Sequence, residues 1–138
     1  MNMCPCGARG DAELQCTCST QRLNAYRDKL SHALLDRFDL VVTMPRPRAA
    51  ELAAGPSESS ATVAARIAAA RERPAARRTA AADTLLSNAV ERLPLSGRGR
   101  ARVAQTARTI AALAHSDTVE SEHIAEALAY RSPRELAA

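Results

Sequence analysis

The residues best suited to chemistry are four cysteines near the start of the chain, Cys4, Cys6, Cys16 and Cys18. They form two C-x-C pairs separated by nine residues in MNMCPCGARGDAELQCTC. Thiolates are good ligands for Zn²⁺, and four of them at about 2.3 Å suit its tetrahedral geometry. Pro5 fixes its own φ and Gly7 allows positive φ, so the first pair can turn back toward the second. Three states fit the pattern: one bound structural Zn²⁺, four thiols without metal, or two disulfides. C-x-C is a rarer zinc spacing than C-x-x-C. A reducing cytosol disfavours the disulfides, and nothing reads as a secretory leader.

The elements that must position these thiols are mainly helices. Of 138 residues, 46% are hydrophobic but only 2% aromatic, with no Trp. Alanine supplies much of the apolar count; it favours helix but buries little area, so thin packing is expected. The net charge is +4 and comes almost wholly from Arg, Lys29 being the only lysine. Guanidinium suits phosphate, but a genomic bias toward Ala and Arg would give the same composition. No apolar run approaches the ~18 residues of a membrane span. The chain therefore reads as cytoplasmic, with no membrane partner.

Ser19 can cap a helix over Thr20–Leu30, with Leu23, Tyr26 and Leu30 inward. Ser31 can cap a short helix through Arg37, burying Leu34, Leu35 and Phe38. Leu40, Val41 and Val42 mark a strand at Asp39–Met44, ended by Pro45 and Pro47. Arg46–Ser57 reads as a loop. A helix over Ala61–Arg73, with Val63 and Ile67 inward, stops at Pro74. Further helices are expected at Ala80–Leu93, closed by Pro94, at Arg98–Ala114, capped by Ser96, and at Ser121–Tyr130, followed by a tail at Ser132–Ala138. Leu85, Leu86, Ala89, Leu93, Val103, Ala107, Ile110, Leu113, Ile124, Ala127 and Leu128 form the expected core. One strand cannot make a sheet, so its neighbours must lie on a further segment or another chain. The fold class is mostly α with minor β.

Several stretches, in order, resemble a known family: MNMCPCG, the second C-x-C, LSHALLDRFDL, GPSESSATV, LSGRGRARVAQTARTIAAL and EHIAEALAYR. They resemble the C-terminal half of the magnesium-chelatase-like AAA+ ATPases, the bacterial group that includes the competence protein ComM. The resemblance implies the C-terminal part of a P-loop ATPase core plus a helical lid. It divides the chain into the end of the core with its cysteine loop (1–48), a linker and connecting helix (49–79) and a lid (80–138). Full-length relatives carry a Lon-protease-like domain ahead of the core. They act as homo-oligomeric rings using ATP and Mg²⁺, and some are implicated in DNA branch migration.

Residue by residue, the resemblance implies three roles. Asn2 stands where the sensor 1 Asn stands, positioning the attacking water. Arg37, in LLDRFDL, matches the arginine finger that reaches a neighbour's nucleotide; Asp36 and Asp39 flank it and are expected to orient it by ion pairing. Arg98, in LSGRG, matches the sensor 2 Arg that touches the γ-phosphate, with Arg100, Arg102 and Arg108 competing for that assignment. The cysteine loop becomes a structural insertion after sensor 1.

The sequence departs from the family pattern in places. Met3 stands where the family has Pro, and His32 where relatives often have Gly. The stretch between Arg78 and Leu85 is shorter than in relatives. His32, His115 and His123 are too dispersed for a metal triad and are read as structural or exposed. No Walker A or Walker B motif is present, so the chain alone is not expected to hydrolyse ATP. Two further readings compete: a zinc-containing, Arg-rich module binding nucleic acid through Arg66–Arg78 and Arg98–Arg108, and an inactive remnant.

Overall fold

The computed structural model of the chain describes residues 2–11, 13–44, 47–55, 58–93 and 95–131. The expected stops at Pro45 and Pro94, the ends of the Arg46–Ser57 loop and the tail Ser132–Ala138 lie outside the described residues. Helices dominate: α1 (Thr20–Arg27), α2 (His32–Leu35), α3 (Ala49–Ala53), α4 (Ser60–Glu72), α5 (Ala80–Arg92), α6 (Gly97–Leu113) and α7 (Ser121–Ala129). Two short strands, β1 (Arg77–Arg78) and β2 (Thr118–Val119), pair in parallel, Arg77 opposite Thr118 and Arg78 opposite Val119. The fold is mostly α with minor β.

Hydroxyl caps set most of the helix starts. Ser19, Ser59, Thr79 and Ser96 accept from the backbone N–H of Arg22, Thr62, Ala82 and Gly99 in turn, satisfying donors that the first turn leaves open. In α7 the buried His123 does this work: its Nδ1 accepts from the Glu120 N–H at 2.9 Å. The imidazole is structural, as expected. His115 is exposed and ends α6 in the left-handed region at φ 57°.

The core lies among α5, α6 and α7. Ala82, Leu86, Val103, Ala107, Ala111, Val119, Ile124 and Ala127 are buried together, with Leu85, Ile110 and Leu128 against them. Leu93 and Leu113, expected in the core, are exposed, because each stands at the C-terminal end of its helix. Alanine at the crossings lets the helix backbones come close, so small side chains still pack densely. The strand pair closes one end of this core. Thr79 N donates to Val119 O at 3.1 Å, and Arg73, just beyond α4, grips Asp117 at 2.6 Å and the His115 carbonyl at 3.0 Å. Arg73 thus ties α4 to the turn after α6.

Four expectations fail in the first half. No strand forms at Asp39–Met44 among the described residues; its one described backbone bond to the lid is Val41 N to Tyr130 O at 2.9 Å. A strand needs a ladder partner along its length, and the pair β1–β2 lies elsewhere. Leu34 and Phe38 are exposed, because α2 has only four residues and no neighbour among the described residues buries that face. The described part of the 46–57 loop contains α3, started by Arg48 N donating to Glu51 Oε2 at 2.8 Å. In α4 no residue is buried and Ile67 is exposed; the helix's main packing among the described residues is against α6. Among the described residues no helix is long and apolar enough to cross a membrane.

Candidate functional site

The cysteine loop folds on glycine. Gly7 and Gly10 take φ +80° and +83°, where a side chain would strain the backbone. Gly7 N donates to Cys4 O at 3.1 Å, and Asp11 N to Ala8 O at 3.2 Å, closing two successive turns. The Asp11 carboxylate then accepts from Glu13 N and Leu14 N at 2.8 and 3.0 Å, steering the chain back toward Cys16. Met3 lies against the bare face of Gly10.

These turns bring the four thiols together. Their sulfurs all lie within 4.8 Å of one another, and no disulfide joins them. Cys4 and Cys6 are 3.3 Å apart; Cys16 is 3.7 Å from each of them. A tetrahedral ion with bonds of about 2.3 Å needs ligand sulfurs about 3.8 Å apart. The donor set and spacing therefore fit one metal ion. Cys4 is fully buried and accepts from Arg9 N at 3.3 Å.

The thiols share their protons unequally. The Ala8 backbone N–H, then the Cys4 and Cys18 thiols, hold the Cys6 pKa down to about 6. At Cys16 the Cys18 backbone N–H favours the thiolate. Loss of water and bonding to Cys6, Cys4 and Cys18 outweigh it and push the pKa up to about 11. A cluster that favours the thiolate at Cys6 suits a cation, whose binding displaces thiol protons.

The second cluster joins the α2 end to the lid. Asp36 and Asp39, on either side of Arg37, both reach lid residues. Arg131 Nη2 donates to Asp36 Oδ1 at 2.6 Å and to the Asp36 carbonyl at 3.0 Å, while its Nη1 donates to the Phe38 carbonyl. Ser96 Oγ, the α6 cap, donates to the Asp36 carboxylate at 2.8 Å. Arg98 Nη1 lies 3.9 Å from Asp36 Oδ2, and Arg102 pairs with Asp39. The carboxylate of Asp36 therefore sits where an anion is favoured, at the N-terminus of α6.

Of the residues singled out in the sequence, Arg37 is exposed and turns back on its own helix, its Nη1 donating to Ala33 O at 2.8 Å. Arg98 is brought close to the same segment through Asp36, and its side chain is 55% exposed, leaving it free to reach another anion. Asn2 is exposed and its amide nitrogen lies beside Gly7 in the cysteine loop. The two aspartates reach the lid as well as flanking Arg37, a link the sequence did not suggest. Arg131 went unmarked by sequence reasoning. Its one signal is Gly99, where a Cβ would stand 3.1 Å from Arg131 Nη2, a clearance that only a bare helix position gives.

Residues 1–52 match the family model described as magnesium chelatase, subunit ChlI, and residues 77–131 match that of the magnesium chelatase subunit ChlI C-terminal region. An uncharacterized protein of Mycobacterium tuberculosis is 35% identical over 94% of this chain and 30% of its own length. The uncharacterized protein YifB of Escherichia coli is 34% identical over 83% of this chain and 27% of its own length. No solved structure gives a significant match. The chain thus spans less than a third of the curated relatives it matches. It belongs to the magnesium-chelatase-like AAA+ family, in the group that includes YifB.

Proposed function

We propose that the chain is the rear portion of an ATP-dependent, chelatase-like AAA+ motor of the ComM type. In this reading it works in a homo-oligomeric ring in the cytoplasm, uses ATP with Mg²⁺ and acts on DNA. The end of the ATPase core spans 1–48, a linker 49–79 and the lid 80–138. Arg37 presents its guanidinium to the nucleotide of a neighbouring subunit, where negative charge builds up on the transferring phosphoryl group. Arg98 serves as the lid contact to the γ-phosphate, and Asn2 positions the attacking water.

The observation that carries this reading is the mounting of Arg37. Its side chain is exposed, while Arg131 bonds the backbone carbonyls of Asp36 and Phe38 on either side, and the carboxylates of Asp36 and Asp39 pair with Arg131 and Arg102. Electrostatic stabilisation of a transition state needs a charge held ready before the reaction, and such a mount supplies it. Phe38, Leu40, Val42 and Met44 are all exposed at every second position. That is the pattern of a strand awaiting a sheet, which a longer ATPase core would provide.

The four cysteines hold a structural Zn²⁺ in this proposal, fixing the loop after Asn2. The nucleic-acid module is less well supported, because four of the nine arginines in its two stretches pair closely with carboxylates of the chain itself. Arg66 pairs with Glu58, Arg73 with Asp117, Arg78 with Asp83 and Arg102 with Asp39.

The test is kinetic. In the ATP-hydrolysing assembly that contains this chain, Arg37→Ala is expected to lower kcat at least about 100-fold with KM for ATP little changed. An unaltered kcat would remove Arg37 from the mechanism.

A further inference from the structure

We infer that Arg131 is a positioning residue for Arg37, acting as a latch between the end of α7 and the turn after α2. The inference rests on the reading of Arg37 as the residue that meets a neighbour's nucleotide. One guanidinium bonds the carbonyls of both Asp36 and Phe38, the residues on either side of Arg37. It also holds the Asp36 carboxylate at 2.6 Å. Fixing the backbone before and after a residue removes most of the freedom of its Cα, so the exposed Arg37 side chain swings from a fixed root.

The latch is built in and shielded. The Arg131 side chain is 8% exposed and that of Asp36 18%. Gly99 gives the guanidinium its room: a Cβ there would come within 3.1 Å of Nη2, 3.5 Å of Nε and 3.5 Å of Asp36 Oδ1. Ser96 bonds the same carboxylate from the cap of α6, so α6, α7 and the Arg37 turn meet at one carboxylate. Lysine cannot replace the arginine, because a single ammonium lacks the planar fork that reaches two carbonyls and a carboxylate at once. A side chain used only to stabilise the lid would bond within the lid; this one directs its described bonds to residues 36 and 38.

The test combines hydrogen exchange on the 138-residue chain with kinetics of the assembled ATPase. In Arg131→Gln, Arg131→Lys and Gly99→Val, the amides of Arg37, Phe38 and Val41 are expected to exchange at least about tenfold faster, with those of α5 and α6 unchanged. The same variants lower kcat with KM for ATP unaltered, although Arg37 is intact. Unchanged exchange around Arg37, or faster exchange spread across α5, α6 and α7, would overturn the latch. A loosened turn in Arg131→Gln together with full activity in Arg37→Ala would overturn the role of Arg37 and leave the contact as architecture alone.

Discussion

The sulfurs of Cys4 and Cys16 lie 3.7 Å apart although twelve positions separate them in the chain. Nothing else described in the loop is as buried as Cys4, which is fully enclosed. A small loop with little apolar content needs a staple to hold its order, and a metal ion on the four sulfurs would supply one. The expected metal content, by mass spectrometry, is about one zinc per chain, lost in a Cys4→Ser, Cys16→Ser double variant. Protein purified anaerobically without metal would contradict this. Chelation of the native chain should open residues 3–18 to protease while α5, α6 and α7 stay protected.

The two aspartates beside Arg37 should differ in worth. Asp36→Ala strands the shielded Arg131 guanidinium and is expected to cost about 3 kcal/mol in urea unfolding. Asp39 and Arg102 are more open to solvent, with Asp39 59% exposed. A double-mutant cycle on that pair should give under about 1 kcal/mol, falling further in high salt. Equal costs at both sites would show that burial of the Arg131 contact has no energetic weight.

The alanine crossings give a prediction in which added volume, rather than a cavity, destabilises. Ala107 and Ala111 are fully buried on α6. Ala107→Leu should destabilise by about 1–3 kcal/mol through overpacking. Leu86→Ala should cost about 2–5 kcal/mol through the cavity it leaves. Denaturation midpoints check both. A more stable Ala107→Leu variant would reveal slack in the core.

The legible half of this molecule is the half whose signals are local. Ser96, Val103, Ala107, Ile124 and Ala127 announce their helices and faces through caps and 3.6-residue spacing, and each is placed as expected. Leu34, Phe38 and Ile67 mislead because hydrophobic spacing says which side of a helix is apolar, not whether a neighbour covers it. The strand at Asp39–Met44 fails for the same reason: a strand is a relation between two segments. The cysteine cluster was readable from spacing, whereas Arg131 was not, since nothing local links an arginine after α7 to a turn near residue 37.

The same apolar series sets an expectation for the chain on its own. Met44 is 84% exposed and Val42 58%. Val42→Ser with Met44→Ser should leave the unfolding midpoint within about 0.5 kcal/mol of the parent. It should also reduce self-association measured by light scattering, because an uncovered strand-like edge is a contact surface. A large loss of stability would mean these side chains pack in a way their exposure denies.

Asp36 and Arg131 are 95 residues apart in sequence. During synthesis the turn bearing Arg37 leaves the ribosome long before the residue that will hold it. Ser96 and Arg102 can hold it through Asp36 and Asp39 once α6 is made, but the bonds to its backbone wait until α7 has been made and packed. A ribosome that stops within α7 therefore releases a chain whose α5 and α6 are complete but whose Arg37 turn lacks the Arg131 contact. Premature termination near the end would spare most of the fold and still loosen the turn that carries Arg37.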